Sequence, residues 1–110
     1  MAATEFAAQV RQEDGVAVID LTGDVSAAAE QTLLEAYAEA GGEPVVLLDF
    51  SAVDYINSTG IALIVGVLAQ ARTSGQEVRA RGLAEHYREI FRITRLSDFM
   101  TILDDEGDET

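Results

Sequence analysis

Nine consecutive residues, Ile61 to Ala69, carry no polar side chain, and directly before them stand three small polar residues and a glycine, Asn57-Ser58-Thr59-Gly60. A run bounded by capping residues at one end and by Ser74-Gly75 at the other predicts a helix over Ser58 to Thr73. Being apolar on all faces, such a helix is either deeply buried or leaves an exposed patch awaiting a partner. Asn57 or Ser58 would cap it well, but one cap needs one side chain and three are offered. Gly60 clears space beside them, and a hydroxyl at the rim of an apolar patch is well placed to be a switch.

The rest of the chain supplies a sheet for this helix to pack on. Pro44-Val45-Val46-Leu47-Leu48-Asp49 is short and continuously apolar, which predicts a central strand covered on both faces. Upstream, Thr4 to Arg11 and Gly15 to Leu21 alternate around Glu13-Asp14-Gly15 and predict a hairpin. Thr22-Gly23-Asp24-Val25-Ser26 breaks that pattern. Ser26 then reads as the N-cap of a helix over Ala27 to Ala40, stopped by Gly41-Gly42, with Leu33, Tyr37 and Ala40 facing the core. Downstream, Glu77 to Arg81 predicts a strand, Leu83 to Thr94 a helix and Met100 to Leu103 a closing strand. This order predicts a single α/β domain over residues 1–103, a mixed sheet of about four to five strands backed by three to four helices. Asp104 to Thr110 (DDEGDET) carries too much charge to fold alone and is expected to be a disordered acidic tail.

Composition narrows the function classes. At 110 residues the chain is the size of one domain. It has no apolar run near the roughly 20 residues that span a bilayer, and no basic-then-apolar leader, so it reads as soluble and cytoplasmic, without membrane insertion. With no cysteine there is no disulfide framework and no thiolate metal site. The net charge of −13 is unevenly spread: residues 1–70 carry eleven acids and one base, residues 71–97 six arginines and three acids, residues 98–110 six acids. A field of that sign repels nucleic acid and anionic lipid.

Enzymatic readings fare poorly. Ser58-x-Gly60 after a strand is half of a hydrolase nucleophile elbow, but Ile56 stands where the other glycine belongs. The single histidine, His86, sits among Glu85 and Arg88 as an ordinary surface residue would. The chain has no lysine for a Walker A loop and no G-x-G-x-x-G, and its acids lack metal-ligand spacing. No catalytic residue, metal or cofactor is expected.

Leu21-Thr22-Gly23-Asp24-Val25-Ser26, and then Leu48-Asp49-Phe50-Ser51 with Val53 and Tyr55-Ile56-Asn57-Ser58-Thr59-Gly60, resemble in order and spacing the two signature regions of the STAS domain of bacterial anti-sigma-factor antagonists. The second region of that family usually reads Asp-Ser-Ser/Thr-Gly; this chain has Asn57 in place of the Asp. The resemblance implies a cytoplasmic, non-catalytic partner-switching module, a monomer or weak dimer. It binds a serine-kinase anti-sigma factor to release a sigma factor, is switched off by phosphorylation at Ser58 and is reset by a phosphatase. The contact surface expected with it is Asp24, Tyr55, Asn57, Thr59, Gly60 and Ile61. The alternative is a STAS scaffold of a stress-sensing complex, or an accessory subunit of a lipid transporter, that is not phosphorylated.

Overall fold

A computed structural model describes residues 5–103. Five strands, β1 (Ala7–Glu13), β2 (Val16–Val25), β3 (Val45–Ile56), β4 (Glu77–Arg81) and β5 (Thr101–Ile102), lie in the sheet in chain order. β1 and β2 form the expected antiparallel hairpin and every later pairing is parallel. The crossovers are made by α1 (Glu30–Ala40), α2 (Ser58–Ser74) and α3 (Glu85–Ile93). Strands that add always on the same side through crossovers of one hand carry their helices on one face. Accordingly Leu33, Ala36 and Ala40 of α1, Ile64, Val67, Leu68 and Ala71 of α2, and Phe91 of α3 all join one core with Ala17, Ile19 and Leu21 of β2, Val46, Leu48 and Phe50 of β3, and Val78 and Ala80 of β4.

β3 is central and buried on both faces, as expected, but helices cover only one of them. Leu47 points to the opposite face, in a row across the strands that reads Arg11, Val18, Leu47, Arg79. Val18 and Leu47 are nevertheless buried. They stand between Arg11 and Arg79 in that row, and arginine stems can cover apolar surface while their charged heads stay wet. Ion pairs join these heads to neighbouring acids: Arg11 with Asp20, Arg79 with Glu77, and Arg81 with Asp49 at 2.8 Å.

Five elements depart from the sequence reading at their boundaries. β2 does not break at Thr22 but continues to Val25 through two register irregularities, and β3 runs on past Asp49 to Ile56. Backbone pairing between the two strands overrides the polar residues of Ser51 to Tyr55: Thr22 faces Ala52, Asp24 faces Tyr55, and Val25 faces Ile56. β4 pairs with β3 only over Val45 to Asp49, so the β2–β3 ribbon overruns the sheet at one end. Ser26 makes no side-chain cap; the chain enters α1 through a 3₁₀ turn, Ala27–Ala29, whose small residues tolerate tight winding and bury Ala29. α3 is shorter than expected, and a second 3₁₀ turn, Leu96–Asp98, follows it. β5 is only two residues long. The acidic tail and the start of the first strand at Thr4 lie outside the described residues.

On the helix-free face, Asp49 accepts hydrogen bonds from the Ser51 N–H and from Arg81. Burial opposes ionisation of its carboxyl, but the bonds from Ser51 and the charge of Arg81 outweigh burial and hold its pKa below the ordinary value. A depressed carboxylate pKa stabilises the fold above the unfolded value near pH 4, and that contribution is lost as pH falls through the lower folded value. Asp49→Asn is therefore expected to cost about 1 kcal/mol at pH 7, with a smaller gap to wild type at an acid pH below the ordinary carboxylate range. Thermal denaturation at both pH values checks this; a gap independent of pH would assign the loss to something other than the ion pair.

Candidate functional site

The overrunning ribbon delivers the two signature regions to one place. Asp24 and Tyr55 face each other on adjacent strands, one step before Val25 and Ile56. The chain then turns into α2: the Asn57 N–H donates to the Val25 carbonyl at 3.2 Å, and the Ile61 N–H donates to the Asn57 carbonyl at 2.9 Å. The Asn57 side chain accepts from the Gly60 N–H at 2.8 Å, a complete N-cap. Capping therefore falls to Asn57 alone, and the hydroxyls of Ser58 and Thr59, both exposed, take no part in it.

Gly60 explains why the turn can be so tight. A Cβ on this residue would lie 2.0 Å from the Val25 carbonyl oxygen and 2.7 Å from its carbon. The first turn of α2 is pressed on the end of β2 at a distance only glycine permits. Gly60 is accordingly buried beneath the loop, whereas Asp24, Asn57 and Ile61 are half-buried around it and Tyr55 is 54% exposed. On the far side, the Ile56 N–H donates to the Tyr87 hydroxyl of α3 at 3.0 Å, and the His86 ring stands edge-on to Tyr87. In the sequence Tyr87 is one apolar member of the helical stripe Leu83, Tyr87, Ile90 and Phe91. A tyrosine's polar tip usually finds a partner when its body is buried, but nothing local names that partner.

α2 resolves the two possibilities its apolar run left open, since both hold on different faces. Ile64, Val67, Leu68 and Ala71 point inward. Ser58, Ala62, Val65 and Ala69, spaced i, i+4, i+7 and i+11, share the exposed face. Ser58 thus heads an apolar stripe. It also stands at the helix end where unpaired N–H groups and the dipole favour negative charge. Among the described residues no three potential metal ligands cluster, here or elsewhere.

If the contact at Gly60 sets this geometry, Gly60→Ala should cost about 1–3 kcal/mol through overpacking against a backbone carbonyl. Asn57→Ala, which removes only the cap, should cost about 1 kcal/mol. Urea denaturation of both variants checks the order; an alanine tolerated at position 60 would contradict the close approach.

Comparison with known proteins bears on what this surface is for. A family model described as "Mlab, STAS domain" matches residues 8–104. A Bordetella bronchiseptica protein named as an anti-sigma factor antagonist, BtrV, is 37% identical over 91 residues, spanning 81% of this chain and 76% of that protein. The anti-sigma-B factor antagonist of Listeria monocytogenes is 35% identical over 64 residues, 58% of this chain and 56% of its own length. Among solved structures, an anti-sigma factor antagonist from Mycobacterium paratuberculosis superposes with a TM-score of 0.70 at 25% identity, covering 89% of this chain and 85% of that one. SpoIIAA of Bacillus in its phosphorylated form gives 0.69 at 18% identity, covering 91% and 94%, a likeness of fold alone.

Proposed function

The chain belongs to the STAS domain family of anti-sigma-factor antagonists, and from that premise we propose that it binds a serine-kinase anti-sigma factor, frees a sigma factor, and is switched off by phosphorylation of Ser58. One observation carries the reading: Asn57 caps α2, so Ser58 stands exposed and uncommitted at the head of the helix's outward apolar stripe. Asp24, Tyr55, Asn57, Thr59 and Ile61 surround it as the contact surface, with Gly60 holding the loop from below. The module works by being covered and uncovered; no catalysis is assigned to it. A phosphatase resets it.

The energetics suit a switch. A phosphate adds roughly −1.5 to −2 charge, and at the N-terminus of α2 the helix dipole favours it by about 0.3–1 kcal/mol. The fold therefore tolerates the modification. A partner lying over Ile61 and the stripe would instead have to bury that charge, and an unpaired buried charge costs about 3–5 kcal/mol, or two to four orders of magnitude in affinity. Asn57 in place of the family's usual Asp also removes a like charge beside the phosphate.

The test is calorimetric titration with the serine-kinase anti-sigma factors encoded in the same genome. Ser58→Ala should bind one of them like the wild type. Ser58→Asp should fold normally and bind at least tenfold more weakly, and Ile61→Glu should also weaken binding without lowering the melting temperature much. A second reading, a scaffold whose contacts ignore phosphate, is favoured by the same Asn57. Equal binding of Ser58→Asp and wild type would establish it instead.

A further inference from the structure

The outward stripe of α2 leads to a groove. Val65, Leu68 and Ala69 meet Leu96 and Phe99, beyond α3, around an apolar hollow of about 200 Å³ with Arg72 at its rim. Val65 and Phe99 are 41% and 50% exposed although large and apolar. The Arg72 guanidinium lies 5.2 Å from the Phe99 ring centroid and forms no ion pair with any described residue. α2 contains no Asp or Glu in its seventeen residues, within a chain that has 20 acids.

We propose that this groove is a second contact for the serine-kinase anti-sigma factor, one that receives a single leucine-sized or aromatic side chain flanked by a carboxylate and that phosphate on Ser58 does not reach. The proposal rests on the reading of the Ser58 surface given above. Three observations select this occupant. The groove is continuous with the Ser58 stripe along one helix face, so a partner covering the head of α2 and following its axis arrives there. The hollow is the size of one anchor side chain, and its lining is depleted of acids as interface centres are. Arg72, the only base on α2 and without an acidic partner, supplies the charge that a carboxylate beside the anchor would meet.

Distance separates the two contacts. Ten residues of helix, Ser58 to Leu68, span about 15 Å, beyond the screening length of about 8 Å at physiological salt. Phosphorylation would therefore release the loop contact and leave the groove contact intact, so that the modified protein stays loosely associated.

The experiment is methyl-resolved NMR of the full chain titrated with the purified kinase anti-sigma factor, alongside affinities for Ala69→Gln and Arg72→Glu. Both positions lie on the exposed face of α2, and the melting temperature of each variant is measured so that a loss of binding is read from folded protein. The Val65, Leu68 and Leu96 methyl signals should shift on titration in wild type and in Ser58→Asp, and each variant should bind about tenfold more weakly in both backgrounds. If the Ile61 methyls shift while the groove methyls do not, and the variants bind normally, this proposal is overturned and the Ser58 reading stands. If neither set shifts, both fail. Groove signals that move with protein concentration alone would assign the groove to a second copy of the chain and overturn the proposal.

Discussion

The close approach of Gly60 to the carbonyl of Val25 is the constraint on which the geometry of the candidate site depends. It joins the start of α2 to the end of β2, two segments 35 positions apart in the chain, without an intervening side chain. Everything nearby follows from that contact. The Asn57 N–H reaches the same carbonyl, the Asn57 side chain closes the cap on Gly60, and Ser58 and Thr59 are left on the outside of the turn. The overrun of β2 and β3 past β4 exists to make this meeting possible, and Tyr87 holds the ribbon from α3 through the Ile56 N–H.

The helical elements were the most legible in the sequence because their ends are chemically marked. Asn57 and Gly75 bound α2 as capping and left-handed residues should, and the hairpin turn at Asp14-Gly15 was equally plain. The strand lengths were not legible. Ser51 to Tyr55 has the composition of a loop, and only pairing with Thr22 to Asp24, distant in sequence, keeps it extended. The apolar run at Val45 to Leu48 did mark a strand buried on both faces, but not what lies over each: helices on one, and on the other a row in which Val18 and Leu47 stand between Arg11 and Arg79. At the site, the residue types pointed to a cap or a switch; the structure assigns the cap to Asn57. What sequence could not carry was the partner of Gly60, because a missing side chain announces a close approach without naming what approaches.

Charge is distributed in a way that fits a surface meant to be covered on one side. The helix-free face of the sheet is a lattice of ion pairs between Arg11, Asp20, Asp49, Arg79, Arg81 and Glu77. The outward face of α2 has no acid at all. In a chain with a net charge of −13, an acid-free apolar stripe is where a partner can bind without meeting desolvated like charge, and where one added phosphate changes the local field most.

Mass mapping of the protein after incubation with ATP and a serine-kinase anti-sigma factor that binds it tests whether the exposed Ser58 hydroxyl at the head of that stripe is the proposed phosphate acceptor. Thr59 is the internal control, because its hydroxyl is also exposed but sits one step further into the helix on a β-branched side chain with fewer rotamers open to it. One phosphate, on Ser58, is expected in wild type and in Thr59→Ala alike. Phosphate found only on Thr59, or none with a kinase that demonstrably binds the protein, would contradict it.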